Sequence, residues 1–163
     1  MLIVHSVAMD ALFALQLFHV LFLALHDWIP LGPLNDVKAV RAADRVSKMV
    51  AGTLISFTPF AVGFAASAFY FGRAYPAWLF WWLWASYGLL FVGELEAWWI
   101  PYLIHPEPKR AVRYRSMFGT THAFLPERNG IRPNTLHIIL HMATLITLVL
   151  LGALTALHRW PIS

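Results

Sequence analysis

His137 and His141 stand four residues apart at the head of an apolar run, "RPNTLHIILHMATLITLVLLGAL" (132–154). On a helix that spacing projects both imidazoles to one side, where they can share a metal ion or divide the roles of proton donor and acceptor. Other ionisable groups repeat the theme. At about 100° per residue, His137, His141, Thr144, Thr155 and His158 fall in one sector of the last apolar segment. His5, Gln16, His19, His26 and Asp27 fall in one sector of the first, while Asp10 lies elsewhere. On the third segment Glu94 shares a face with Tyr87 and Trp98, and Glu96 points away from it.

An ionisable side chain in hydrocarbon costs about 3 kcal/mol or more, so these stripes are expected to face a bundle interior or a wet cavity. The expected site therefore gathers His19, His26, Glu94, His137 and His141 as ligands of a divalent metal such as zinc or iron. Glu94, His137 and His141 would carry the chemistry. A version without metal uses Glu94 and one histidine as an acid and base pair. His19 and His141 are also candidates for the two axial ligands of a b-type haem. Arg113, Arg128 and Arg132 are candidates for holding an anionic headgroup.

The motifs that would narrow this chemistry are missing. The His137 and His141 pair lacks the adjoining glutamate of the metalloprotease H-E-x-x-H, and no G-x-S-x-G or glycine-rich phosphate loop occurs. There is no cysteine, which excludes disulfides, thiolate ligands and a cysteine nucleophile. Eight histidines remain the dominant signal.

What must position these groups is read from composition. Of 163 residues 60% are hydrophobic, 15% aromatic and 12% charged, which exceeds the apolar share of a water-soluble domain this size. Four segments, 3–27, 49–71, 77–100 and 136–158, each approach the roughly 20 residues that a helical membrane span requires. The expectation is an all-α, integral membrane four-helix bundle forming one domain over 1–163. The first segment lacks a basic flank and a small-residue cleavage site, so it is expected to stay as a helix.

Lys and Arg are distributed unevenly. Lys38, Arg41, Arg45 and Lys48 follow the first span, and Lys109, Arg110, Arg113, Arg115, Arg128 and Arg132 follow the third, against Arg73 and Arg159 on the other side. Both long loops are therefore expected in the cytoplasm and both termini outside, in a bacterial inner membrane. Topology accounts for the formal charge of +4, and no nucleic-acid partner is expected. Residues 33–48 could form a basic amphipathic helix along the inner surface. The loop from His105 to His137 carries Tyr114, Met117, Phe118, Phe124, Leu125 and Ile131, enough apolar surface to fold back as a capping loop. Within it "ERNG" reads as a turn, Asn134 or Thr135 as the cap of the last helix, and Arg113 or Arg115 as a partner for Glu96.

Three functional classes follow. The first is a membrane-embedded enzyme acting on a lipidic substrate, the second a haem or redox subunit. The third is a proton-coupled transporter or accessory subunit, working as a homodimer or within a larger membrane complex.

Overall fold

A computed structural model describes residues 2–73 and 75–156, with side chains from residue 7 onward. The side chain of His5 and the whole of His158 and Arg159 lie outside the described residues. The chain is all-helical: α1 Leu2–Leu25, α2 Val37–Ala43, α3 Val46–Phe69, α4 Ala77–Glu94, α5 Ile100–Leu103, α6 Pro108–Phe118 and α7 Thr135–Ala156. α1 packs on α3 and α7, and α4 packs on the same two, which closes a ring of four helices.

Three of these, α1 over Val7–Leu25, α3 and α7, are long and apolar enough to cross a membrane, which marks this as a membrane protein. α4 is not among them, because its four tryptophans, Tyr87 and Glu94 lower its mean hydropathy. The expected segment boundaries shift by one to three residues at most ends. The larger change is at the third, where α4 continues through a π-helical turn, Leu95–Trp99, into α5.

Pro101 explains how that turn is used. Proline lacks an N–H, so a carbonyl one turn behind it loses its helical donor. The Tyr114 hydroxyl donates to the Ala97 carbonyl at 3.1 Å, and Arg110 donates to the Glu96 carbonyl. Both donors sit on α6, so the broken ladder of the long helix becomes the dock for the cap. Trp98, Tyr102, Ala111 and Ile131 form a small buried cluster there.

The capping loop is ordered by local chemistry. Asn129 and Gly130, at φ 54° and 76°, make the expected turn, closed by the pairing of Arg128 with Ile131. A positive φ suits these two residue types best. The Asn129 amide donates to the Tyr102 carbonyl at 3.1 Å, and the Tyr102 hydroxyl to the Pro126 carbonyl at 3.2 Å. Asn134, not Thr135, caps α7, its Oδ1 accepting the His137 N–H at 3.0 Å.

The basic segment before α3 forms a helix within 33–48, α2, which packs on α6 and buries Val40. Asp36 caps it by accepting the Ala39 N–H at 2.9 Å and takes the Thr120 hydroxyl, also at 2.9 Å. These bonds hold the Asp36 carboxyl below its ordinary value, the Ala39 N–H contributing most. Asp44, which follows α2, is also held low, first by its hydrogen bond from Lys48 at 2.7 Å and then by Arg113. Arg113 thus goes to Asp44, and Arg115 to Glu127 at 2.8 Å; neither meets Glu96.

Candidate functional site

α1 and α7 run antiparallel with a fixed register. The rings of His26 and His137 lie 6.0 Å apart, and seven residues further along each helix His19 Nε2 lies 3.1 Å from Thr144 Oγ1. A repeat of seven keeps one seam facing inward, as in interdigitated antiparallel helices. The next step of seven reaches Leu12 and Leu151, both 0% exposed and members of one apolar cluster. Between the last two levels fall Gln16 and Thr147, both buried. The seam is therefore polar from His26 and His137 down to Gln16 and Thr147, then aliphatic.

A cavity of about 520 Å³ opens beside the polar stretch. His26, Glu94, His137 and His141 line it, together with Leu23, Leu90 and Leu140, and its mouth carries Asp27, Asp44, Lys48 and Arg113. Four ionisable residues of the expected site, from α4, α7 and the turn after α1, thus line one cavity. His19 stands behind this lining rather than on it, reaching Glu94 through Thr144.

Each side chain is oriented by a specific partner. The Thr144 hydroxyl lies 2.7 Å from Glu94 Oε1, while Glu94 Oε2 is buried and has no hydrogen-bond partner. Asn134 Oδ1 accepts from His137 Nδ1 at 2.6 Å, which turns the Nε2 lone pair outward. His137 sits among Trp98, Phe118 and His26, with ring centroids 4.5, 5.0 and 6.0 Å away. Trp99 Nε1 donates to His141 Nδ1 at 3.2 Å, so the Nε2 of a neutral His141 carries the proton. The π-helical turn lets Trp98 and Trp99 both reach α7. π-bulges commonly occur at functional sites for this kind of reason.

The predicted ligand set divides. Among the described residues no three His, Asp or Glu side chains come together to hold a metal ion. His19 is committed to the Leu15 carbonyl at 2.7 Å and to Thr144, His137 Nδ1 to Asn134, and His141 Nδ1 to Trp99. The expected set of His19, His26, Glu94, His137 and His141 thus contains no such group of three. His19, the residue expected to pair with His141 on a haem, has both nitrogens within hydrogen-bond reach of the Leu15 and Thr144 oxygens. Of the three arginines chosen for a headgroup, Arg113 lines the large cavity, Arg132 lines a separate cavity of about 210 Å³ with Arg115, and Arg128 is part of the tight turn.

Sequence reasoning missed two functional side chains. Thr144 was visible as a member of the α7 stripe, but its role depends on the α1 register. Trp99 carries no ionisable group to single it out in the sequence, and it lies in the π-helical turn from which it reaches His141. Comparison with protein families, with curated proteins and with solved structures gives no match, so the site stands on its own geometry.

Proposed function

We propose that this chain is an integral membrane enzyme that uses acid and base catalysis on an amphiphilic, lipid-like molecule bound in the large cavity. The observation that carries this reading is Glu94: a carboxyl only 5% exposed, one oxygen fixed by Thr144, the other buried without a partner on the cavity wall. A buried acceptor left unsatisfied is costly, and it is relieved when a bound molecule supplies the missing bond.

Glu94 exchanges a proton with the bound molecule, and His137 and His141, held in defined orientations, stabilise charge as it develops. The cavity's size falls within the range of small-molecule sites. Its lining sets Leu23, Leu89, Leu90 and Leu140 beside the ionisable groups and is charged at the mouth, which suits a chain with a polar or anionic head near Lys48 and Arg113. The aliphatic plug at Leu12 and Leu151 favours a closed chamber over a path for ions across the bundle.

The helix from Ala77 through Leu103 extends about 40 Å at 1.5 Å per residue, long enough to supply a fourth crossing beside α1, α3 and α7. The Lys and Arg distribution orients the mouth and the cap toward the cytoplasm of a bacterial inner membrane. Lipid then enters from the inner leaflet beneath the cap.

The test is to incubate purified protein with a bacterial polar-lipid extract in deuterated water and follow every species by mass spectrometry. A lipid-like species that gains deuterium or changes mass with wild-type protein, and does not with Glu94→Gln, supports the reading. Identical spectra for the two proteins refute it.

A further inference from the structure

The wall behind Glu94 holds an arrangement that cavity chemistry alone does not use. Glu94 Oε1, Thr144 Oγ1 and His19 Nε2 form a continuous line across α4, α7 and α1, with separations of 2.7 and 3.1 Å. The line ends where His19 Nδ1 meets the Leu15 carbonyl at 2.7 Å. Glu94 is 5% exposed, and Thr144 and His19 are 0%.

A carbonyl can only accept, so His19 Nδ1 carries a hydrogen. With that hydrogen fixed, the line has two self-consistent arrangements. In one, Glu94 is a carboxylic acid donating to Thr144, and Thr144 donates to Nε2 of a neutral His19. In the other, Thr144 donates to the Glu94 carboxylate and accepts from the Nε2–H of an imidazolium. The two differ by a shift of protons along the line and have the same total charge, so neither requires an ion to enter from water.

Resting on the acid–base reading above, we infer that Thr144 is a proton-transferring link and His19 a proton store behind Glu94. When Glu94 Oε2 takes a proton from the bound molecule, that molecule's bond to hydrogen breaks and it keeps the electron pair. The Oε1 proton passes to Thr144 Oγ1, and the original Thr144 hydroxyl proton passes to His19 Nε2. One new bond to hydrogen forms for each one broken. The reverse sequence returns a proton from the same carboxyl to product. Thr144 and His19 act through Glu94 and are positioning residues.

The surroundings isolate this line. Facing His19 are Tyr87 of α4, edge-on at 4.9 Å, and Phe60 of α3, stacked at 6.1 Å. Gln16 lies one turn away on α1, buried, with neither amide atom partnered. Facing the cavity with Glu94 are His26 and Asp27 in the turn after α1 and His137 and His141 of α7, with Asp44, Lys48 of α3 and Arg113 of α6 at the mouth. None of these side chains is hydrogen-bonded into the line; the Leu140 carbonyl also accepts from Thr144 Oγ1, at 3.1 Å.

The experiment needs no substrate. Full-length protein with ¹⁵N-labelled histidine, reconstituted in lipid nanodiscs, is taken through a temperature series at fixed pH while NMR follows His19 and infrared difference spectra follow the Glu94 carboxyl band. His19→Gln and Glu94→Gln assign the two signals. Because the two arrangements hold the same number of protons, the relay predicts that the carboxylic acid band and the imidazolium signal exchange in equal amounts in wild type and in Thr144→Ser. Thr144→Val, which keeps the shape but removes the hydroxyl, loses that exchange. Unequal changes, or no exchange, in wild type overturn the relay, as does unchanged exchange in folded Thr144→Val. Because the readout is spectroscopic, coupled exchange with no lipid turnover sinks the enzyme reading alone, and turnover without coupling sinks the relay alone.

Discussion

The two halves of the α1 and α7 seam are built on the same repeat and filled with opposite chemistry. At one end His26, His19 and Gln16 stand level with His137, Thr144 and Thr147; at the other, Leu12 stands level with Leu151 inside the main apolar cluster. The aliphatic half needs only shape, since lipid is as apolar as leucine and packing rather than water exclusion holds helices together. The polar half needs a partner for every group, and it meets that need for all but a few atoms, Glu94 Oε2 and the Gln16 amide among them. Ser67 Oγ, near the end of α3, is also unpartnered, but Glu94 Oε2 is the unpartnered atom of a cavity-lining carboxyl, and it locates the chemistry in the polar half.

The contrast breaks most completely at Glu94. Glu94→Gln keeps the volume and a hydrogen bond to Thr144 but removes the exchangeable proton, and turnover of the lipid-like substrate is expected to fall by about 10²- to 10⁴-fold. Unchanged circular dichroism and a monodisperse detergent profile would show that the fold survives. A smaller loss, about tenfold or more, is expected for Asn134→Ala, which frees the His137 ring and removes the α7 cap in one step. Asn134→Asp should restore most of it, because a carboxylate still accepts both bonds; failure of that rescue would argue against an orienting role.

In the aliphatic half, Leu151→Ala should leave turnover within about twofold while lowering stability. The cost should fall below the about 2 to 5 kcal/mol of the same truncation in a water-soluble core, because the transfer term is reduced in lipid. Steric-trap or denaturant unfolding in bilayers measures it. A loss of activity matching that of Glu94→Gln would erase the distinction between the halves.

The smallest expected effect lies in the cap. Asp36 and Asp44 have carboxyls held below their ordinary values, so their contribution is present at and above the ordinary carboxyl range and is lost as pH falls through the depressed folded values. Acidification should therefore loosen the cap before the bundle, read as faster amide exchange across α6 than across α7. Asp44→Asn should show part of that loosening already at neutral pH. An α6 exchange rate insensitive to pH would count against the ion-paired clasp.

How far the sequence revealed this site depends on which physical rule governed each part. Helical periodicity placed His19, His26, Glu94, His137 and His141 on inward faces, because 100° per residue holds throughout α1 and α7. Burial depth came from the span boundaries. The π-helical turn was not legible, since it arises from Pro101 withdrawing a donor and α6 supplying replacements from a distant segment. The split of the expected metal set was not legible either. Whether imidazoles converge on an ion or are satisfied singly depends on neighbours such as Leu15, Trp99 and Asn134, which periodicity does not rank. Three helices carry enough apolar length to cross a membrane on composition alone, whereas α4 is richer in tryptophan and is not one of them.

Single-cysteine labelling tests most directly whether the Glu94 wall faces a chamber reachable from water at the basic end and closed beyond it. The natural chain has no cysteine, so each introduced thiol reports alone. With a small hydrophilic thiosulfonate applied to protein in nanodiscs, Glu94→Cys and His141→Cys should react, and pre-incubation with a lipid-like amphiphile should slow both. Leu12→Cys and Leu151→Cys should stay unmodified. Rapid labelling of the two leucine positions with none at Glu94→Cys would contradict the account.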